Sequence, residues 1–174
     1  FILAVMGSPD PRQINGLGGA DYLTSKIAII GPGTNGADVD YTFGQVGYEQ
    51  AYVSYFSNCG NLSAAVGVFA LEEGLVKAVE PETTVRIFNT NTGKTLISHV
   101  PVRNGAPQVE GDFAIAGVPG TGAEIRMDYS NTVGATTGKM LPTGRVRDQL
   151  YVPELGRSIA VSIVDVSKAT VFFH

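Results

Sequence analysis

The chain has 174 residues, 44% of them hydrophobic and 16% charged, with a formal net charge of −4. That balance excludes a disordered segment and leaves nucleic-acid binding without its basic footprint. No apolar run reaches the ~18 residues of a membrane-spanning helix, the single cysteine excludes an internal disulfide, and 22 glycines favour turns and short strands over a helical bundle.

In chain order, the apolar start Phe1-Ile2-Leu3-Ala4-Val5-Met6 lacks a positive n-region and meets Gly7-Ser8-Pro9 too soon for a signal peptide. Gly7 to Pro11 is a turn by composition, and Gly16-Leu17-Gly18-Gly19 keeps the backbone permissive. The β-branched run ending at Ile30 predicts a strand from about Thr24, stopped by Gly31-Pro32-Gly33. Residues 38–48 alternate in part, with Val39, Tyr41 and Phe43 apolar, as a half-buried strand does. Gln50 to Tyr55 is its expected hairpin partner. The small polar turn Ser57-Asn58-Cys59-Gly60 leads into the Ala-rich run Leu62 to Leu71, which predicts a buried helix over about 61–73 with Gly74 at its C-terminal cap.

Thr83 to Asn89 and Thr95 to Val102 predict a strand pair. The connector Asn89-Thr90-Asn91-Thr92-Gly93-Lys94 has hairpin turn chemistry. The glycine-rich segments around Gly105 and Gly117 bracket a short expected strand, Phe113-Ala114-Ile115, and suggest a domain boundary. We place the first domain at 1–112 and the start of a second at 113–174. The second is read as strand and loop: Ile125 to Tyr129, then about 149–152, 158–165 and 170–173. It contains no helix to cover the apolar face of its sheet. The chain begins without Met inside an apolar run and stops directly after a strand-like run ending at His174. An internal piece of a longer protein is therefore expected.

Cys59 carries the sharpest chemical signal. A thiol at or just before a helix N-terminus meets free backbone N–H groups and the positive end of the macrodipole, an environment suited to an anion. The bland alternative is a small buried hydrophobe. Lys26 lies in an apolar neighbourhood, where an exposed strand lysine is the ordinary reading and a general base the functional one. The backbones of Gly18-Gly19 and of Asn58 to Leu62 are candidate donors to a carboxylate. His99 and His174 have no metal-ligand spacing. Asp165 reads as a strand-end acid or a cap, and Asp112 and Asp128 as turn residues. Walker, dinucleotide and Gly-x-Ser-x-Gly motifs are absent from the sequence.

With these motifs in order, the chain resembles the 2-methylaconitate cis-trans isomerase, or PrpF-like, family. The resemblance spans nearly the whole chain. It rests on Met6-Gly7-Ser8-Pro9-Asp10, Gln13 to Gly19, Thr24-Ser25-Lys26, Asn58 to Ala65, Phe88 to Gly93, Gly117 to Ala123 and Gly134 to Gly144. It implies an α+β fold similar to diaminopimelate epimerase: two related domains, each a curved mixed β-sheet wrapped round a central helix, the second incomplete in this chain. The family's N-terminal strand, its Arg-Gly-Gly-Thr-Ser-Lys-like loop and the later part of the second domain lie outside the match.

The implied activity is a cofactor-independent, metal-free isomerase that moves a proton or double bond in small unsaturated di- or tricarboxylates such as 2-methylaconitate. Lys26 and Cys59 map onto the family's acid–base pair. Gly18, Gly19, Ser25, Asn58, Gly60, Asn61 and Leu62 are the expected substrate-binding residues. The alternatives are a non-catalytic carboxylate-binding fragment and an epimerase or tautomerase of the same superfamily. A cytoplasmic protein is expected, with no nucleic-acid or membrane partner and a homodimer as the candidate assembly.

Overall fold

The computed structural model describes residues 1–56 and 58–173. Expectations for Ser57 and His174 lie outside the described residues. The apolar start, to which the sequence assigned no element, is a short helix, α1 (Ile2–Met6), closed by Gly7 at φ 75°. A tight segment follows, and then the first of the ten strands among the described residues.

Strand β1 (Lys26–Pro32) pairs antiparallel with β2 (Val39–Val46), and β3 (Val53–Ser54) adds to the other side of the end of β2. The chain then crosses over through α2 (Gly60–Glu72) to β4 (Glu82–Asn89), which pairs parallel with β2. A parallel pair needs such a crossover, since a tight turn cannot reverse the chain twice. β5 (Lys94–Arg103) returns as a hairpin with β4, and β6 (Ala106–Pro107) and β7 (Arg126–Asp128) both pair with β5. These seven strands form one mixed sheet. β8 (Asp148–Val152), β9 (Arg157–Val166) and β10 (Lys168–Phe173) form a separate antiparallel sheet.

The alternation read from the sequence places the core. Val39, Tyr41 and Phe43 of β2, Val85 and Ile87 of β4 and Leu96 of β5 pack on Val66 and Ala70 of α2. All are buried, each contributing about 1.5–3 kcal/mol for a large side chain. Leu71 packs with Val100 and Val102 in a second cluster. α2 buries Ser63, Val66, Gly67, Ala70 and Leu71, the i, i+3, i+4 stripe of a helix lying on a sheet. Its opposite face is open, with Phe69 exposed, so the buried helix expected from the sequence is buried on one side.

Several elements differ from expectation, among them the hairpin partner expected over Gln50 to Tyr55, which is the two-residue β3. β1 starts at Lys26 because the Thr24 and Ser25 hydroxyls are bonded back to Gly18. α2 starts one residue earlier than read, at Gly60, while Gly74 takes the left-handed conformation (φ 68°) just past its end. Phe113 to Ile115 is not a strand: among the described residues its ladder contact is one bridge from Phe113 to Gly122, since the flanking glycines fold that segment onto itself. β7 lies beyond residue 112 in sequence and adds to the large sheet. No helix is long and apolar enough to cross a membrane among the described residues.

Candidate active site

The lysine is held by its neighbours' backbone. Gln13, 2% exposed, accepts from Ser25 Oγ at 2.9 Å and from the Ala20 N–H at 2.8 Å. The Gly18 carbonyl accepts from Thr24 Oγ1 at 2.5 Å and Ser25 Oγ at 3.1 Å. From the other side, Gln45 Nε2 donates to the carbonyls of Tyr22 and Ser25, both at 2.9 Å. Lys26 follows directly, opposite Gln45 in the β1–β2 register. Its backbone is thus fixed at the end of the sheet while its half-buried side chain stays available.

The cysteine is the N-cap residue of α2, in extended conformation at φ −116° and ψ 113°. Its side chain makes no capping hydrogen bond. The Ser63 N–H bonds the Cys59 carbonyl at 3.0 Å, while those of Gly60, Asn61 and Leu62 have no acceptor among the described residues, the arrangement that receives an anion. The helix start is braced from beyond β7: Tyr129 Oη donates to the Gly60 carbonyl at 3.0 Å and lies 2.8 Å from Ser63 Oγ.

The segment before Cys59 is clamped by the β4–β5 turn. Asn91 Oδ1 accepts from the Phe43 N–H at 2.8 Å, and its Nδ2 donates to the carbonyls of Phe43 (2.9 Å) and Tyr55 (2.8 Å). Asn89 is fully buried, and its Nδ2 lies 3.5 Å from Asn58 Oδ1. Asn58 Nδ2 is itself buried without an acceptor among the described residues.

These pieces meet. Lys26 and Cys59, 33 positions apart in the chain, line one cavity of about 410 Å³ with Asn58, Gly60 and Asn61. Tyr22, Phe43, Gln45, Ser54 and Phe56 complete its wall on this side. The remaining residue is Lys168, at the start of β10 in the small sheet. Among the described residues, no aspartate or glutamate lines the cavity. Its walls offer two ammonium groups, an amide donor and a free helix N-terminus to a ligand about the size of a small organic acid.

Four of the expected binding residues do not line this cavity. Ser25 is fully buried, its hydroxyl spent on Gln13 and Gly18. Gly18 is buried behind it: its carbonyl anchors Thr24 and Ser25, and a Cβ there would meet the Gln13 side chain at 1.9 Å, while Gly19 is exposed beside Thr24. Leu62 packs its side chain against the core. Ser25 and Gly18 support the Lys26 segment from behind. Sequence reasoning missed Lys168, for which no local pattern exists, and the clamp by Asn89 and Asn91, whose turn chemistry was legible but whose target was not.

Two buried titrating groups are displaced. Burial raises the Tyr41 phenol well above its ordinary range, aided by the proximity of Cys59 and Tyr129. The Tyr41 hydroxyl has no partner among the described residues. Asp165 is fully buried; burial pushes its carboxyl up, but hydrogen bonds from the backbone and hydroxyl of Thr137 and the Thr136 N–H, with Lys94 nearby, hold it below the usual carboxylate range. No cluster of three or more His, Cys, Asp or Glu side chains is arranged for a metal ion among the described residues.

The profile of the family described as "PrpF protein" matches residues 1–174. The chain is 58% identical over 174 residues to 3-methylitaconate isomerase of Eubacterium barkeri, covering 99% of this chain and 45% of that protein. It is 43% identical over 184 aligned positions to 2-methyl-aconitate isomerase of Shewanella oneidensis, covering 100% of this chain and 46% of that protein. The crystal structure of a methylitaconate-delta-isomerase superposes with a TM-score of 0.85 at 58% identity, covering 99% of this chain and 44% of that one. A hydroxyproline epimerase from Agrobacterium vitis shares the fold alone, with a TM-score of 0.50 at 16% identity over 93% of this chain and 36% of its own. The chain spans less than half the length of the curated relatives it matches.

Proposed function

The chain belongs to the PrpF family, and on that premise we propose that the intact protein is an isomerase of small unsaturated di- or tricarboxylates, working by acid–base chemistry at Lys26 and Cys59. The observation that carries this reading is the shared cavity: an amine and a thiol from distant segments meet beside a helix N-terminus with open N–H groups.

The chemistry such a site suits is allylic proton transfer. One group removes a proton from carbon adjacent, or vinylogous, to a carboxylate. The electron pair enters the conjugated system, and negative charge develops on the carboxylate as a dienolate. A proton then returns at another carbon, or at the same carbon after rotation, and the double bond is moved or reoriented. Residues in hydrogen-bond reach are required for both proton transfers. The N–H groups of Gly60 and Asn61 and the Asn58 amide are preorganised donors for the developing charge. No redox change occurs, so Lys26, Cys59 and the donors suffice for the balance of protons and electrons, without an added cofactor. A reduced thiol of this kind fits the cytoplasm.

Relatives of about twice the length support a second wall for the cavity, built by a second domain of which residues 113–174 are the start. Proton NMR of the intact protein in deuterated water, with methylitaconate, methylaconitate and oxalomesaconate as a panel, tests the reading. Isomerisation accompanied by deuterium entry at the allylic carbon is expected with at least one of them. Neither exchange nor isomerisation with any of the three would remove it.

A further inference from the structure

The cavity has a second cation that the acid–base scheme leaves unused. Lys168 opens β10 in the small sheet, yet it lines the cavity that Lys26 and Cys59 share. Its position is built. The β9–β10 turn is closed by Ser167, held at φ 69°, a conformation a non-glycine residue adopts only where its surroundings fix it. The Ser167 N–H donates to the Thr132 carbonyl at 3.1 Å, and Thr132 Oγ1 donates to the Tyr129 carbonyl at 2.7 Å. Tyr129 in turn holds the start of α2 through Gly60 and Ser63. A continuous set of hydrogen bonds therefore links the turn before Lys168 to the helix that presents Cys59.

Neither Lys26 nor Lys168 is ion-paired with an acidic side chain among the described residues, and none lines the cavity. Two ammonium groups facing one space without a counter-charge repel each other, and a ligand with one negative charge leaves that imbalance partly uncompensated. A dianion removes it. We propose that Lys168 is a specificity-determining residue: it binds a second carboxylate of the substrate, remote from the one held at the N-terminus of α2, so that the site selects di- and tricarboxylates against monocarboxylates. The assignment rests on the isomerase reading for its substrate class but not for its binding chemistry.

The test separates the two. In the intact protein, Lys168→Gln and Lys168→Arg are compared with the native residue. KM and kcat are measured on an unsaturated diacid that turns over and on its monoester lacking the remote carboxylate. Calorimetry measures binding of a saturated diacid, methylsuccinate, and of its monoester. Lys168→Gln is expected to raise the diacid KM and methylsuccinate Kd by about 10- to 100-fold, the loss of one charge-assisted hydrogen bond, with kcat changed less. The monoester constants stay where they are, and Lys168→Arg restores most of the diacid binding. Equal losses on diacid and monoester, or no loss on either, overturn the assignment. If the native protein isomerises no acid but binds methylsuccinate more tightly than the Lys168→Gln variant does, the isomerase reading falls and the role of Lys168 stands. If it binds no diacid, the role of Lys168 falls.

Discussion

At the scale of single residues, the site depends on side chains that do different jobs at close quarters. Cys59→Ala is expected to slow isomerisation by at least ~10²-fold, the low end for a positioned acid or base. Lys26→Met is expected to abolish turnover with the circular dichroism spectrum unchanged, because Gln45, Ser25 and the β1–β2 ladder hold that segment through its backbone. Near-native turnover in either variant would take that residue out of the chemistry. Asn91 acts at one remove: its amide makes three hydrogen bonds to the backbone of Phe43 and Tyr55, tying the segment that leads to Cys59 to the edge of β2. Asn91→Ala leaves those groups without their partner and is expected to cost about 1–2 kcal/mol in urea unfolding. Activity should fall further than stability alone explains, since the cysteine loses its register.

At the scale of elements, α2 does two things that constrain each other. Its N-terminus faces the cavity, and its buried stripe sets how close it lies to the sheet. Gly67 is the point of closest approach: a Cβ there would lie 2.6 Å from Ser98 Oγ and 2.9 Å from both Ser98 Cβ and Val100 Cγ2. Alanine is favoured over glycine in a helix by about 1 kcal/mol, while overpacking a core contact costs about 1–3 kcal/mol. Two of the atoms in the way are strand side-chain carbons close to the backbone, so the clash wins. Gly67→Ala is expected to lower Tm and, by lifting the helix off β5, to raise KM. A variant with unchanged or higher Tm would show that β5 yields at no cost.

At the scale of the molecule, the small sheet and the loop at 132–140 are joined through Asp165. Its carboxylate accepts from Thr136 and Thr137, while its backbone pairs with Gly134 and Met140. The carboxyl is held below its ordinary value in the folded protein. A group depressed in this way contributes stability that is fully present above its unfolded value, about 3.9, and is lost as pH falls through the lower folded value. Acid should therefore loosen this loop below about pH 4, read by amide exchange or tryptic cleavage at Lys139. Asp165→Asn should show weakened protection already at neutral pH and a flatter response to acid. An identical acid profile in the variant would assign the transition to other carboxylates. Residues on the two sides of position 112 meet where β7 pairs with β5, where Tyr129 bonds Gly60 and Ser63, and where Lys94 Nζ donates to the Val133 carbonyl at 3.0 Å.

The sequence by itself determined the elements and the chemistry on offer. Alternation in β2, β4 and β5, the turn at Asn89 to Lys94, the Ala-rich run after Cys59 and Gly74 beyond it are local signals, and local sterics and hydrophobic periodicity suffice to read them. Family motifs added the pairing of Lys26 with Cys59. Only the tertiary structure decided which of these residues share a space. It turned Ser25 inward, its hydroxyl bonded to the buried Gln13 and to the carbonyl of the buried Gly18. It also brought Lys168 from the far end of the chain to the cavity, because the β9–β10 turn is hydrogen-bonded to the segment that braces α2. Contacts between distant segments are set by packing and by the satisfaction of buried polar groups, and neither leaves a periodic trace along the chain.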